Sequence, residues 1–258
     1  MLIEKTIFGE TIDKIQIAID RLKHFEPPEG YYLAFSGGKD SVVIKELANM
    51  SGVKYDAHYN NTTIDPPELV KFIRQHHKDV RIEHPEEPFL KVLVHKGFPR
   101  RKNRWCCSEY KEGGGNNRFV ITGIRWQESK QRSNRRMVEI CYKDKTKIFI
   151  HLIIDWSENE VWEFIHKYNL PYCKLYDEGW KRIGCLLCPL ASTKQRLIQS
   201  KLYPKYTKAF INAFRKLYNK RKTERPETIE QWNSGEEMFW QWMKSKKQSN
   251  KDQMVMFE

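Results

Sequence analysis

The feature that most constrains this chain is the segment 36–41, which reads Ser-Gly-Gly-Lys-Asp-Ser. The apolar run at residues 31–35 precedes it and is typical of a buried strand, and apolar residues at helical spacing follow it up to Met50. A strand, a glycine turn and a helix in this order form an anion site. Gly37 and Gly38 let the backbone approach phosphate closely, and the helix N-terminus directs N–H groups at negative charge. The pattern predicts a phosphate-binding loop in an α/β fold.

The polar residues of the loop suit this chemistry. Lys39 adds a positive charge, Asp40 is able to hold Mg²⁺ against phosphate, and Ser36 and Ser41 offer hydroxyls. The loop has neither the G-x-x-x-x-G-K-[ST] pattern of a Walker loop nor the G-x-G-x-x-G pattern of a dinucleotide site. The alternative interpretation is an ordinary strand-to-helix turn that happens to contain two glycines.

Composition restricts the class of protein and its partners. The chain has 258 residues, of which 40% are apolar, enough for one large domain or one domain with an appendage. A formal net charge of +13 predicts an anionic partner such as a nucleotide, a nucleic acid or a membrane surface, with a solvated basic surface as the alternative. No apolar run is long enough for a signal peptide or a transmembrane helix. We therefore expect a cytoplasmic protein with no membrane partner and with reduced cysteines.

Strand and helix patterns alternate along the first half of the chain. Strand patterns lie at residues 31–35, 53–59, 80–84 and 118–122, and helix patterns lie at 10–25, 41–50, 66–78 and 86–96. This alternation predicts a parallel twisted sheet with helices on both faces. Two more strands are expected at 137–142 and 147–153, followed by a helix that begins at Ser157 with a capping box to Glu160.

Four cysteines form a second constellation. Cys106 and Cys107 are adjacent, and Cys185 and Cys188 form a C-x-x-C pair. Four thiolates suit either a [4Fe–4S] cluster or a structural zinc ion. Zinc sites usually use two separated knuckles, which adjacent cysteines cannot form, so the pattern favours iron–sulfur over zinc. The alternative is that these residues are buried apolar thiols.

The loop motif resembles the PP-loop of the ATP-pyrophosphatase superfamily, whose members cleave ATP between the α and β phosphates. Further motifs follow in order at residues 122–129, 155–157, 175–179, 182–185 and 188–189. Together they resemble the phosphoadenosine-phosphosulfate (PAPS) reductase family, a branch of this superfamily, from about residue 30 to 192. The resemblance implies an adenine nucleotide α hydrolase-like fold.

The same resemblance assigns site residues. It implies that Gly123 and Arg125 lie beside the nucleotide, where Arg125 would clamp phosphate or sulfate oxygens. Adenylylsulfate reductases of bacterial type carry a [4Fe–4S] cluster on a Cys-Cys pair and a later C-x-x-C. Carried across, this makes ligands of the four cysteines, Cys106, Cys107, Cys185 and Cys188.

Two departures from the reductases bear on the reaction. The reductases use a nucleophilic cysteine in a C-terminal Glu-Cys-Gly-Leu-His segment, whereas no cysteine follows Cys188 in these 258 residues. They also typically carry an altered loop, whereas this chain keeps Lys39 and both serines. The pattern indicates an ATP-dependent adenylating enzyme that serves iron–sulfur-dependent sulfur transfer. The expected reaction is most similar to that of the ATP-pyrophosphatase component of DNA phosphorothioation systems and of certain tRNA-thiolating enzymes.

This interpretation names partners and leaves alternatives open. The expected cofactors are ATP, Mg²⁺ and a [4Fe–4S] cluster, and the expected partners are DNA or tRNA and a sulfur-donor protein such as a cysteine desulfurase. One alternative is an assimilatory sulfonucleotide reductase that uses an external thiol. Another is a subunit that binds nucleotide without catalysis.

The C-terminal region is predicted to be helical and basic. We expect residues 1–192 to form the nucleotide-binding and cluster domain and residues 193–258 to form an extension. The aromatic residues Trp232, Phe239, Trp240 and Trp242 lie among lysines and arginines there. Such a pattern suits nucleic acid, because cations contact phosphates and aromatic rings stack on bases. A helical bundle with a tryptophan core is the alternative and is slightly favoured.

Overall fold

The computed structural model describes residues 1–5 and 11–244. The strands are β1 Ile3–Lys5, β2 Thr11–Asp13, β3 Tyr31–Ala34, β4 Tyr55–Asn60, β5 Arg81–Glu83, β6 Phe119–Thr122, β7 Val138–Ile140 and β8 Ile148–His151. The α-helices are α1 Lys14–His24, α2 Lys39–Ser51, α3 Pro67–His76, α4 Phe89–Lys96, α5 Trp105–Tyr110, α6 Glu158–Lys167, α7 Thr193–Leu202, α8 Pro204–Glu224 and α9 Gly235–Lys244. The described chain divides into two compact units. The first is drawn from Met1–Asn61, Asp65–His84 and Glu112–Gly184, and the second from Thr62–Ile64, Pro85–Lys111 and Cys185–Glu258.

The first unit is built on a six-stranded sheet. Its strand order is β5-β4-β3-β6-β8-β7, and every neighbouring pair is parallel except β7 with β8. The chain runs from β3 outward to β5 and then returns to the other side of β3 as β6. The strand order therefore reverses between β3 and β6, and their carboxyl ends lie side by side. Helices flank the sheet, so the α/β fold class expected from the sequence is confirmed.

Local signals explain most element boundaries in this unit. Asp13 caps α1, because its side chain accepts hydrogen bonds from the backbone N–H groups of Ile15 and Gln16. The expected helix at 10–25 is accordingly shorter, and Thr11–Asp13 pairs with Ile3–Lys5 as an antiparallel strand instead. The predicted capping box of α6 is confirmed, since Ser157 and Glu160 each accept a hydrogen bond from the other's backbone N–H.

The second unit holds the helical C-terminal region. Its core is aromatic: Phe210 and Phe214 of α8 are fully buried and lie within 6.5 Å, centroid to centroid, of the ring of Phe239 in α9. Trp232 and Trp242 are also buried, at 7% and 5% exposure. The interpretation of these rings as a base-stacking surface is therefore wrong for Trp232, Phe239 and Trp242, and their role is packing. The predicted domain boundary at residue 192 stays a prediction.

Among the described residues, we find no helix with the length and apolar character that crossing a membrane requires.

Candidate functional site

The loop between β3 and α2 has the backbone expected of an anion site. Gly38 is the N-cap of α2 in an extended conformation, and no side chain caps the helix there. Gly37 has a φ of +71°, and a Cβ at this position would lie 2.7 Å from Leu69 Cδ1 and 2.8 Å from Ile73 Cδ1. Only glycine combines this backbone with such close packing. Gly38 itself has no side chain to cap the first turn of α2, whose backbone N–H groups are the donors that an anion-binding helix terminus uses.

The two serines of the loop hold its shape. Ser41 Oγ donates to the carbonyl oxygen of Gly38 at 2.8 Å and lies 3.3 Å from Ser36 Oγ. The N–H of Gly38 donates to Ser36 Oγ at 3.4 Å. Ser41 is 3% exposed, whereas Ser36 is exposed. Of the two hydroxyls that the sequence proposed for phosphate, Ser36 is the accessible one.

Lys39 is buried and held by contacts that the sequence did not predict. Its ammonium lies 3.3 Å from the carbonyl oxygen of Lys181, 3.3 Å from Glu158 Oε1 and 5.3 Å from the centroid of the Tyr176 ring. Its backbone N–H donates to the Tyr176 hydroxyl at 2.9 Å. Burial raises the pKa of Tyr176, so the phenol stays neutral at physiological pH.

Asp40 joins the loop to the segment after β6. Arg125 Nε donates to Asp40 Oδ1 at 2.6 Å, and Arg125 Nη1 lies 3.4 Å from both Gln127 Oε1 and the carbonyl oxygen of Trp156. Arg125 is 3% exposed. Gly123 permits this approach, because a Cβ there would lie 3.0 Å from both Cβ and the backbone oxygen of Asp40. The structure therefore brings together Lys39, Asp40, Gly123 and Arg125.

The position of these residues follows from the strand order. The loop follows the carboxyl end of β3, and Gly123 follows the carboxyl end of the neighbouring β6. In open α/β sheets, ligands bind in the crevice where the strand order reverses, outside the carboxyl ends of the strands. The loop at 36–41 and the segment 123–125 therefore lie where such a crevice is expected in the first unit.

The four cysteines lie together in the second unit. Cys106 and Cys107 are in the short helix α5, and all four thiols are partly exposed. A hydrogen bond with Cys107, followed by burial and by negative charge on Cys107, Cys188 and Cys185, raises the pKa of the Cys106 thiol. Cys185 Sγ lies 3.5 Å from Thr62 Oγ1.

These thiols do not form a ready-made metal site. Within residues 1–5 and 11–244, no group of three or more His, Cys, Asp or Glu side chains is arranged to hold a metal ion. The donor set has the chemistry of a cluster or a zinc site, and the arrangement of the described thiols does not distinguish the two. The ligand assignment of Cys106, Cys107, Cys185 and Cys188 stays a prediction.

A family model called the phosphoadenosine phosphosulfate reductase domain matches residues 30–191, more than half of the chain. The chain belongs to this family. An adenosine 5'-phosphosulfate reductase of Bacillus anthracis is 31% identical to this family member over 170 residues, covering 61% of the chain and 74% of the relative. An uncharacterized protein of Methanocaldococcus jannaschii, MJ0973, is 28% identical over 203 residues. The match covers 71% of this chain but only 47% of that relative, so the chain spans about half of its length.

One solved structure shares the fold of this family member. The phosphoadenylyl-sulfate reductase of Candida auris, in a phosphate complex, superposes with a TM-score of 0.51 at 19% identity. The superposition covers 65% of this chain and 87% of that chain. The family match makes this chain a nucleotide-binding member of the PP-loop superfamily, and residues 36–41 and 123–125 stay the predicted nucleotide site.

Sequence reasoning missed two side chains of the site in this family member. Tyr176 lies in the motif at 175–179 that resembles the family, but its spacing from residues 36–41 gives no sign of a contact with the loop. Glu158 directly follows the N-cap Ser157, where an acidic residue is usually explained by the helix dipole. Both reach Lys39 only through the tertiary structure.

Proposed function

We propose that this chain binds ATP with Mg²⁺ at residues 36–41 and activates a substrate by adenylation. A substrate oxygen would attack the α-phosphorus of ATP. The bond between this phosphorus and the oxygen that bridges to the β-phosphorus would break, and pyrophosphate would leave with the electron pair. The observation that carries the proposal is the intact loop: the buried Lys39 begins α2 directly after its glycine N-cap, and the loop follows β3, the neighbour of β6.

The charged and uncharged residues of the site would have different roles. Lys39 and the N-terminal turn of α2 would bind phosphate oxygens, and Arg125 would neutralise charge that develops on the leaving pyrophosphate. Gly37 and Gly38 would let the backbone approach, while Ser36 would contribute its exposed hydroxyl and Ser41 would support the loop. Gly123 would keep Arg125 beside the nucleotide.

Asp40 is the residue that would hold Mg²⁺. A carboxylate oxygen is a suitable ligand, and the Asp40 side chain is 22% exposed. Its Oδ1 accepts the hydrogen bond from Arg125, and its Oδ2 lies 3.9 Å from the Lys39 ammonium. The metal, when bound, would supply charge neutralisation on the phosphates. The Asp40 carboxylate would then give up part of its contact with Arg125 and Lys39 in order to bind the metal.

The wider proposal concerns sulfur. The adenylated oxygen would be replaced by sulfur, with AMP as the leaving group, on a nucleic acid such as DNA or tRNA. The persulfide of a donor protein such as a cysteine desulfurase would attack the activated atom, and AMP would leave with the electron pair. A thiol reductant would then cleave the resulting disulfide and leave one sulfur on the acceptor. A [4Fe–4S] cluster on Cys106, Cys107, Cys185 and Cys188 is part of this proposal. Its support is the donor set and the family resemblance, and no step of the adenylation depends on it.

A sulfonucleotide reductase that uses an external thiol is the second candidate. The similarity to the Bacillus anthracis adenosine 5'-phosphosulfate reductase favours it. The two functions differ in their substrate, because a reductase binds a ready-made sulfonucleotide and has no use for ATP cleavage.

One experiment separates the candidates. The full chain is purified without oxygen and incubated either with ATP or with a sulfonucleotide and thioredoxin. Pyrophosphate release supports adenylation, sulfite release supports reduction, and tight nucleotide binding without either product supports a non-catalytic subunit. Lys39→Met should lower pyrophosphate release by about 100-fold or more, as expected for loss of a preorganised charge. Lys45→Met is the matched control, because Lys45 is a second buried lysine of α2 that pairs with Asp79 instead.

The cluster is tested separately by spectroscopy. A chain purified without oxygen should show broad visible absorbance that bleaches on reduction. Cys→Ser variants at the four positions should lose it, whereas Cys173→Ser, at a fully buried cysteine of the first unit, should keep it. Retention of the absorbance in all four variants would contradict the ligand assignment.

A further inference from the structure

Helix α8 is unusual in its charge. Its 21 residues, Pro204–Glu224, contain seven lysines and arginines and a single acidic residue, Glu224. Helices of this length normally alternate both signs on their exposed face, because opposite charges at i and i+4 stabilise the helix and like charges destabilise it. The excess of positive charge on α8 thus opposes helix stability by itself.

The basic residues of α8 are arranged on one face. The core-facing positions, Thr207, Phe210, Ala213, Phe214 and Leu217, follow helical spacing and define the buried side. At 100° per residue, the centre of the opposite side is occupied by Lys205, Lys208, Asn212, Arg215, Lys216, Asn219 and Lys222, and it carries no acidic residue. From Lys205 to Lys222 this basic face of α8 extends about 26 Å.

Four lysines of the basic face have no counter-ion in the part of the chain that the structure describes. Arg215 pairs with Glu236 at 2.6 Å, and Lys220, at the edge of the face, pairs with Glu224 at 4.0 Å. Lys205, Lys208, Lys216 and Lys222 are exposed, and none of them forms an ion pair with a described residue.

The side chains on the basic face of α8 favour one kind of partner over the others. No large apolar side chain of α8 is exposed, because Phe210, Phe214 and Leu217 are buried in the core and Ile211 is half-buried. A membrane-binding helix needs an apolar face to insert, and a protein interface usually has an apolar centre. Spaced ammonium groups with intervening amides, Asn212 and Asn219, suit a hydrated polyanion whose charges repeat along a line.

We propose that the basic face of α8 binds the phosphate backbone of a nucleic acid. Lys205, Lys208, Lys216 and Lys222 would contact phosphates and release condensed counter-ions, without reading the base sequence. This inference rests on the nucleic-acid part of the proposed function and is independent of the ATP chemistry.

The test compares two variants with equal net charge. In the first, Lys205, Lys208, Lys216 and Lys222 are changed to Gln. In the control, four exposed lysines of the first unit that form no ion pair with a described residue, Lys23, Lys54, Lys71 and Lys145, are changed to Gln. Fluorescence anisotropy measures the binding of the full-length variants to a labelled duplex of about 30 base pairs, to a single strand and to a tRNA. The salt concentration is varied between about 50 and 200 mM, a range over which a protein with six phosphate contacts loses roughly 10³-fold in affinity.

The proposal expects the α8 variant to bind nucleic acid at least about tenfold more weakly at low salt. The slope of log affinity against log salt should fall by about 0.7 to 0.9 for each lost contact, while the control changes little. Equal losses in both variants would overturn the proposal, because net charge alone would then explain binding. Binding to anionic phospholipid vesicles is measured alongside. The proposal would also be overturned if the parent chain bound no nucleic acid, or if the α8 variant lost affinity for the vesicles only. Pyrophosphate release without nucleic acid is measured in parallel, so failure of the adenylation proposal is seen separately.

Discussion

The hydroxyl oxygen of Tyr176 accepts the backbone N–H of Lys39 at 2.9 Å, across 137 residues of sequence. This N–H belongs to the first turn of α2, where an anion would bind. The ring of the same tyrosine lies 5.3 Å from the Lys39 ammonium. Tyr176 thus contacts both the backbone N–H and the ammonium of Lys39, and a phosphate that accepted from this N–H would have to replace the hydroxyl.

Tyr176→Phe is expected to tighten binding of ATP and of pyrophosphate. The variant keeps the ring but frees the Lys39 N–H, whose hydrogen bond is worth about 0.5–1.5 kcal/mol, or roughly two- to tenfold in affinity. Titration calorimetry measures the affinity, and hydrogen exchange of the Lys39 amide should become faster in the absence of nucleotide. Tyr172→Phe is the control, because the Tyr172 hydroxyl bonds to Asp177 at 3.0 Å and not to the loop. Weaker binding by Tyr176→Phe would show that the hydroxyl supports the bound state.

The pair of Asp40 and Arg125 is expected to stabilise the fold as well as the site. Asp40→Asn leaves the buried Arg125 guanidinium without its carboxylate, which should lower the free energy of unfolding by about 3 kcal/mol, the low end for a broken buried pair. Urea unfolding measures it. Glu236→Gln, which breaks the exposed pair with Arg215, should cost less than about 1 kcal/mol. Equal effects of the two substitutions would contradict the structural role of the Asp40 pair.

Gly37→Ala is expected to damage the loop more than Gly52→Ala. Both glycines have positive φ, +71° and +74°, so both substitutions carry a backbone cost of about 1–2 kcal/mol. Only at Gly37 would the new Cβ meet neighbours, the methyl groups of Leu69 and Ile73, while nothing lies within 4 Å of it at Gly52. Thermal unfolding should therefore separate the variants, and nucleotide binding should be lost only in Gly37→Ala. Equal melting temperatures of the Gly37→Ala and Gly52→Ala variants would contradict the close packing around Gly37.

Stability is expected to fall as the pH drops from about 6.5 towards 4. Burial, followed by the positive charge of Lys45, lowers the pKa of His77 from 6.5 to about 4. The unfolded chain then binds a proton that the folded chain excludes, so stability is fully present above pH 6.5 and is lost through this window. The loss reaches about 3 kcal/mol. Burial lowers the pKa of His151 in the same direction.

Urea unfolding between pH 4 and 8 measures this dependence. His77→Gln should flatten the curve in part, leaving the contribution of His151. His76→Gln is the control, since His76 is the exposed neighbour of His77. A pH profile of His77→Gln that matches the parent chain would show that His77 is not the group responsible.

Much of the first unit was predictable because its signals are local. The alternation of strands and helices, the glycine turn at 36–41 and the capping box of Ser157 and Glu160 each depend on residues within a few positions of one another. The structure departs from the sequence patterns where pairing is distant. Residues 11–13 join a strand through pairing with residues 3–5, although they stood inside a helical pattern. The short helix α5 went unpredicted because its six residues are too few to show a periodicity.

By itself, the sequence determined that this chain has a glycine turn between a strand and a helix of a parallel α/β sheet, because composition and spacing set the preferences of each short segment. Only the tertiary structure decided what surrounds Lys39. Tyr176, Glu158 and the carbonyl of Lys181 reach it from more than 100 residues away. It likewise decided that Arg125 pairs with Asp40 and that Trp232 and Trp242 are core residues. The reason is physical: a charge or a ring takes its role from the partners and the burial that packing supplies, and these contacts leave no periodic trace in the sequence.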